Sequence, residues 1–250
     1  MNRSYKTKAI IIKQYEVGEA DRIIKAFSHD LGLITLSARG VRKTLAKLKG
    51  HLELFNYSFL ILHRSQRGAI DAIIGAETIH PFKKLRSNLK NTSRLYLIAE
   101  FLNRVLPERE VHTEIFNLLL YVLKDLENGG QRERRLILNS YFLLRSLKLL
   151  GYAPHFRECI RCQSKLKTGG NYFDFNGAGT VCPSCSSGGG QLSDQAIISL
   201  RILNETQELN LPLIKISKNI LEEVVSLVEN YAEYVIESEL KSKEFIKRVD

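Results

Sequence analysis

The segment Cys159-Ile160-Arg161-Cys162, followed by Cys182-Pro183-Ser184-Cys185, contains all four cysteines of the chain. A Cys-x-x-Cys turn presents both sulfurs on one side, and two such turns supply the four soft ligands of a tetrahedral zinc ion. Residues 163–181 separate the two pairs, a spacing typical of zinc knuckles. Glycines flank a short apolar stretch between them, which predicts a hairpin. We therefore predict one structural zinc ion per chain, with these ligands: Cys159, Cys162, Cys182 and Cys185.

Other uses of the cysteines stay open at this stage. Two disulfides require an oxidising compartment. A redox Cys-x-x-Cys is expected as a single copy at the start of a helix. A catalytic zinc site keeps one coordination position free, whereas four cysteines close it. A site that has lost its metal is the remaining alternative.

Composition places the chain among ordinary globular proteins. It has 250 residues, of which 44% are hydrophobic and 26% charged, enough for one large domain or two to three small ones. The sequence contains no run of about 18 apolar residues, so we predict no membrane span. The first apolar run is too short for a signal peptide. We expect a cytoplasmic protein.

The net charge of +10 is unevenly distributed. Residues 1–80 carry 13 Lys or Arg against 7 Asp or Glu, and residues 81–157 carry 14 against 7. Residues 191–250 reverse the balance, with 7 against 11. This asymmetry indicates a polyanionic partner for the first part of the chain, although simple solubility is the alternative.

Residues 1–80 have the pattern of a small β-barrel. Strands are predicted at 7–14, 21–28, 33–38, 53–63 and 70–79. Five strands in this length favour an OB-fold, with an SH3-like barrel as the main competitor. In the fourth strand, Phe55, Tyr57, Phe59 and Ile61 alternate, which predicts that they face the core. The second interpretation is that Tyr57 and Phe59 are platforms on which bases stack.

The connection after the third strand is strongly cationic, and no acidic residue occurs between Asp30 and Glu53. Such a loop on a barrel predicts contact with a phosphate backbone, against the alternative of a merely solvated loop. A second basic group, with His63, precedes the fifth strand. The predicted DNA-binding residues are Arg39, Arg42, Lys43, Lys47, Lys49, Arg64 and Arg67.

Residues 81–250 are predicted to be helical, with helices at 87–104, 111–126, 132–150, 193–204 and 218–240. The expected fold class is α+β multidomain, with an OB-fold domain at 1–80, a helical domain at 81–250 and a zinc-binding insert at 155–190. Two basic clusters at helix starts oppose the helix dipole and suggest further anion contacts. They comprise Lys83, Lys84, Arg86, Lys90 and Arg94, and then Arg132, Arg134 and Arg135.

No catalytic motif stands out in the sequence. A Walker loop, a His-Glu-x-x-His motif and a nucleophile elbow are all missing. Glu16, Glu19 and Asp21 are the acids that a metal-dependent nuclease or nucleic-acid-modifying enzyme on an OB scaffold would use. We predict a binding protein without enzymatic activity, and keep that enzyme as the alternative. A scaffold that binds only proteins is a third class.

Several motifs together resemble the RecO family of bacterial DNA repair proteins. They are the stretches 7–12 (TKAIII), 18–23 (GEADRI), 32–33 (GL), 38–42 (ARGVR) and 149–154 (LLGYAP), the last running into the first cysteine pair. The resemblance implies an OB-fold, a helical domain and, in many members, a zinc insert.

The same resemblance implies a recombination mediator without turnover. Such a protein binds single- and double-stranded DNA and anneals complementary strands. With RecR, and RecF where present, it loads RecA onto strands coated by single-strand-binding protein (SSB). It also binds the acidic SSB tail through the helical domain, for which the Arg132, Arg134 and Arg135 cluster is a candidate.

Overall fold

The computed structural model describes residues 4–44, 46–65, 70–129, 131–188, 190–206, 211 and 215–249. The first part of the chain contains five strands and a 3-10 turn at Lys49–Leu52. The strands are β1 (Ser4–Val17), β2 (Asp21–Ser28), β3 (Gly32–Ala38), β4 (Tyr57–His63) and β5 (Asp71–His80).

These strands form a closed barrel in the order β1-β2-β3-β5-β4, with β4 paired back to β1. All neighbours are antiparallel except β3 and β5, which pair in parallel through Leu36 and Asp71. Aliphatic side chains fill the interior, among them Ile11, Ile24 and Leu36, each wholly buried. This closed five-stranded barrel, followed by helices, confirms the predicted fold class.

Of the four side chains predicted to face the core, Phe55 is buried just before β4, but Tyr57, Phe59 and Ile61 on β4 point outward. The barrel interior instead receives Leu60 and Leu62, while Tyr57 and Phe59 are half-buried on the outer surface. The Tyr57 ring lies 6.0 Å from that of Phe116, on a helix packed against the barrel. The outer face is apolar because that helix covers part of it, so alternation alone identified the wrong side.

A short strap at residues 107–112 lies beside β3. The amide of Arg109 donates to the carbonyl of Leu33 at 2.8 Å, and the Arg109 guanidinium donates to Asp71 at 2.8 Å. Asp71 is buried and also accepts from the Tyr5 hydroxyl at 2.5 Å and the Ser65 amide at 2.8 Å. One carboxylate thus joins β1, β5 and the strap.

Replacing Asp71 by Asn is expected to cost about 2 kcal/mol of unfolding free energy, because charge-assisted hydrogen bonds weaken and Arg109 loses its partner. Burial alone would raise the pKa of Asp71, but hydrogen bonds from Tyr5, Arg109 and Ser65 lower it below its ordinary value of 3.8. The resulting stabilisation is therefore present above pH 4 or so and lost as the pH falls through the lowered folded-state pKa.

Urea denaturation at several pH values measures both effects. The matched control is Glu77→Gln, which removes an exposed carboxylate of the same strand. A variant Asp71→Asn that unfolds at the same urea concentration as this control would show that the network contributes nothing.

Three helices follow the barrel, namely α1 (Lys83–Arg86), α2 (Leu89–Val105) and α3 (Thr113–Glu127). Asn88 caps α2, because its side-chain oxygen accepts from the amides of Lys90 and Asn91. The described residues of Met1–Glu127 form one compact unit together with those of Glu244–Asp250.

Residues Asn128–Lys243 form the second compact unit. It contains the helices α4 (Arg132–Leu149), α5 (Asp194–Glu205) and α6 (Lys218–Val235), and the strands β6 (Asn171–Asp174), β7 (Gly179–Val181) and β8 (Gln191–Leu192). The domain boundary drawn from the sequence at 80 and 81 stays a prediction.

The last predicted helix, at 218–240, corresponds to α6 alone, which ends at Val235, and the helix that follows it lies outside the predicted range. α6 ends because Glu237 adopts a left-handed conformation, with φ 50°, and α7 (Ser242–Val249) follows as a separate helix. In the described part of the chain, no helix combines the length and the apolar character needed to cross a membrane.

Candidate metal centre and cationic surface

The two cysteine pairs, separated in sequence by residues 163–181, converge in the second unit. Their sulfurs all lie within 4.8 Å of one another, and the Sγ atoms of Cys162 and Cys182 are 3.8 Å apart. A tetrahedral ion with Zn–S bonds of about 2.3 Å separates its ligands by about 3.8 Å. A disulfide would bring two sulfurs to about 2.05 Å, and all four cysteines are free. The arrangement therefore fits a single closed metal site.

Each cysteine pair occupies a tight turn closed by backbone hydrogen bonds. In the first turn, the Gln163 amide donates to the Cys159 carbonyl at 2.8 Å. In the second, the amides of Cys185 and Ser186 both donate to the Cys182 carbonyl at 3.0 Å. These turns orient two sulfurs alike, as the spacing predicted.

The hairpin between the turns packs tightly against the first one. Ile160 donates its amide to the Thr180 carbonyl at 3.0 Å. A Cβ on Gly177 or Gly179 would lie 2.3 Å or 2.4 Å from side-chain carbons of Ile160. The contact at Gly177 is with the terminal Ile160 carbon, which can rotate, whereas a Cβ at Gly179 would also lie 3.0 Å from the His155 backbone oxygen, so Gly179 is the glycine needed for close approach.

Aromatic contacts fix the hairpin to the rest of its unit. The Phe173 ring lies 5.8 Å from Phe156 and 5.5 Å from Tyr231 on α6. Arg161 bridges the hairpin and the second turn, because it donates to Asp174 at 2.9 Å and to the Cys185 carbonyl at 2.6 Å. The bond from Arg161 lowers the pKa of Asp174.

The thiols of the cluster differ in acidity. Burial opposes ionisation of Cys159, but backbone amides, among them those of Cys162 and Cys182, lower its pKa to about 6. The neighbouring Cys162 and Cys182 sulfurs raise the pKa of Cys185 to about 12. One sulfur of the cluster is thus readily ionised, whereas a cation is needed to ionise the set.

The cationic loop (residues 39–49) is fixed at its start to the barrel. The Gly40 amide donates to the Asp21 carboxylate at 2.7 Å, and the Arg42 amide donates to the Ala20 carbonyl at 2.9 Å. Val41 is buried in the barrel core. The first residues of the cationic loop are therefore held in a fixed position on the barrel.

Arg42 differs from the other predicted DNA-binding residues. Its guanidinium donates to the Gly18 carbonyl at 2.9 Å and lies 3.1 Å from the Glu16 carboxylate. The sequence analysis did not pair Arg42 with Glu16, because Glu16 is distant in sequence, on β1. Arg42 holds the loop in place and is partly neutralised.

The other predicted cations remain exposed. None of the following has an ion pair within the part of the chain that the structure describes: Arg39, Lys43, Lys47 and Lys49. Arg64 is exposed, with its guanidinium 5.4 Å from the centre of the Tyr5 ring. Arg67 lies outside the described residues.

Two of the three acids that a nuclease would use are engaged by the protein itself, while Glu19 is exposed. Asp21 accepts the Gly40 amide, and Glu16 faces Arg42 and, at 3.9 Å, Arg22. Among the described residues, the cysteines form the one cluster suited to a metal ion.

The second basic cluster of the sequence is largely occupied in the structure. Arg132 lies 3.6 Å from Glu222, and Arg134 donates to the Leu211 carbonyl at 3.1 Å. Arg135 is buried. These side chains support helix packing, so the cluster offers little free charge to an acidic tail.

Family models match nearly the whole chain. Residues 1–82 match the model described as "Recombination protein O N terminal", and residues 86–244 match "Recombination protein O C terminal". Relatives named "DNA repair protein RecO" include one from Dehalococcoides mccartyi, 38% identical over 240 residues, 95% of this chain and 93% of the relative. Another from Roseiflexus is 30% identical over 251 residues, 99% and 87% of the two chains.

Proposed function

This chain belongs to the RecO family of DNA repair proteins, and from that premise we propose that it binds single- and double-stranded DNA and anneals complementary strands. The proposal includes loading of RecA onto SSB-coated strands with RecR, and with RecF where present, and binding of the SSB tail. It places the protein in the cytoplasm, at the nucleoid.

One observation carries the DNA-binding part of this proposal. The cationic loop projects Arg39, Lys43, Lys47 and Lys49 from the barrel without carboxylate partners in the described part of the chain. Uncompensated cations along a loop displace counterions from phosphates, and this free energy does not depend on base sequence. Two strands held on one positive surface repel each other less, which favours annealing.

Zinc is the metal we propose for the cysteine cluster. Four thiolates at tetrahedral spacing are a ligand set that suits zinc, and they leave no coordination position for a substrate. When bound, the ion supplies cross-linking of the two turns. The proposal therefore assigns it a structural role and assigns the protein no catalytic step.

Charge reversal of Arg39, Lys43 and Lys47 to Glu is expected to weaken binding of single-stranded DNA about 10- to 100-fold at about 0.1 M salt. The plot of log affinity against log salt should become shallower, with the magnitude of its slope smaller by about 2, because each phosphate contact contributes about 0.7. Fluorescence anisotropy with oligonucleotides of unrelated sequence measures both.

The matched control reverses three exposed lysines of the second unit, Lys165, Lys167 and Lys218, with the same change in net charge. It should retain most of the affinity. Equal losses in the two variants would mean that net charge, and not the cationic loop, governs binding.

A further inference from the structure

A cleft beside the barrel gathers cations that the cationic loop does not include. We call it the corner cleft, and its lining residues are Lys84, Ser87, Asn88, Leu89, Lys90, Arg248 and Val249. Lys83 and Lys247 are exposed next to it in sequence. The three segments that meet here are α1, the start of α2 and the end of α7, all within the first compact unit.

Aromatic packing brings α7 to this corner. The Phe245 ring lies 6.0 Å from Tyr96 on α2, and Tyr96 in turn lies 5.8 Å from Phe55. Ile246 is buried beside it. Because these apolar side chains hold one face of α7, its last turn reaches the cleft with Lys247 and Arg248 exposed.

A buried bridge connects the corner cleft to the end of the cationic loop. The wholly buried Asn56 donates to the Gly50 carbonyl at 2.9 Å and accepts from the Arg86 guanidinium at 2.6 Å. Arg86 also donates to the carbonyls of Leu54 and Pro81. Arg86 is thus a structural cation, and through Asn56 it links α1 to Gly50, the residue that follows the cationic loop.

The cations at the corner cleft are not used to stabilise the fold through ion pairs in the described part of the chain. Five exposed cations make no ion pair within the described residues: Lys83, Lys84, Lys90, Lys247 and Arg248. The described lining contains no carboxylate, and the nearest acid on α7 is Glu244, at its start. α1 and α2 have no acid in their first turns, where cations oppose the helix dipole. Asn88 already caps α2, so the side chains are what an anion would meet.

We infer that the corner cleft continues the cationic loop as one track for the sugar–phosphate backbone of a single strand, so that longer strands contact both parts. This rests on the proposed DNA binding. Cations spread over consecutive segments match a polymer with a repeating anion. A short acidic motif is held by one local cluster of cations, whereas the cations here are spread over α1, α2, α7 and the cationic loop.

The test reverses Lys84, Lys90 and Arg248 to Glu and compares two strand lengths. One oligonucleotide has about 10 nucleotides, within the about 4 to 16 that one OB-fold covers, and the other has about 30. The variant should bind the long strand about 10-fold more weakly, with a salt slope lower by about 2, and the short strand normally. The second-unit variant at Lys165, Lys167 and Lys218 is the charge-matched control, and circular dichroism checks folding.

The remaining outcomes separate this inference from the proposed function. Normal affinity and salt slope for the long strand in the cleft variant would overturn the track and leave the proposed function intact. Equal loss for both lengths would also overturn it, since the cleft would then be the primary site. Loss of binding to an acidic peptide with DNA binding intact would assign the cleft to a protein partner. Normal binding of both lengths by the cationic-loop variant would instead contradict the proposed function.

Discussion

A variant with Cys162 and Cys182 replaced by serine is expected to bind no metal, whereas the unmodified chain should contain one equivalent of zinc. Together the two substitutions remove one ligand from each turn, so neither turn retains a pair. Metal analysis of protein purified without chelator gives the first readout. Stoichiometric zinc in the double variant would show that the cluster is not the site.

The same variant should lose stability in the second unit, by an amount on the order of 5 kcal/mol, because metal affinity is also folding free energy. The insert has little core of its own. Its buried apolar side chains in the described residues of 155–192 are Phe156, Cys159, Phe173, Val181 and Leu192. Without the ion, the turns lose their cross-link and those few contacts must hold the hairpin alone.

Amide hydrogen exchange of the insert is the readout specific to this loss. Exchange should accelerate in the hairpin, while short-strand DNA binding checks that the first unit is still folded. Ser164→Ala is the matched control, since its hydroxyl lies 3.1 Å from the Cys162 sulfur but all four ligands remain. Unchanged protection in the double serine variant would mean that packing, and not metal, holds the insert.

The sequence predicted those features that depend on local pattern. Cys-x-x-Cys turns are complete within four residues, so the clustering of the four cysteines could be predicted without tertiary information. The five strands were likewise predicted near their observed bounds. Alternation in β4, however, states only which residues share a face. Because α3 places Phe116 against the outer side, both faces are apolar, and burial could not be assigned from the pattern.

Counting charges along the sequence likewise did not show which cations are free to bind a ligand. Arg42, Arg86 and Arg134 each belong to a basic run in the sequence, yet each donates to a backbone carbonyl in the fold. A cation is available to a ligand only where tertiary structure leaves it unpartnered. The corner cleft shows the converse, because Arg248 joins Lys84 and Lys90 only through packing of α7.

The strap beside β3 leads to the other large expected effect, since Gly32→Ala should cost about 3 kcal/mol or more of unfolding free energy. Gly32 has φ +70°, and a Cβ there would lie 1.9 Å from the backbone oxygen of Glu110. That oxygen cannot move aside easily, because Arg109 bonds both Leu33 and Asp71.

The matched control for this prediction is Gly18→Ala. Gly18 also has a positive φ, +55°, but a Cβ added to it would meet no atom within 4 Å, so only backbone strain of about 1 to 2 kcal/mol is expected. The excess cost at Gly32 therefore isolates the steric contact with the strap, and urea denaturation of both variants measures it. Equal destabilisation of the Gly32→Ala and Gly18→Ala variants would show that the strap moves away freely. The hydrogen bonds between Asp71 and Arg109 would then hold the strap less firmly than their geometry indicates.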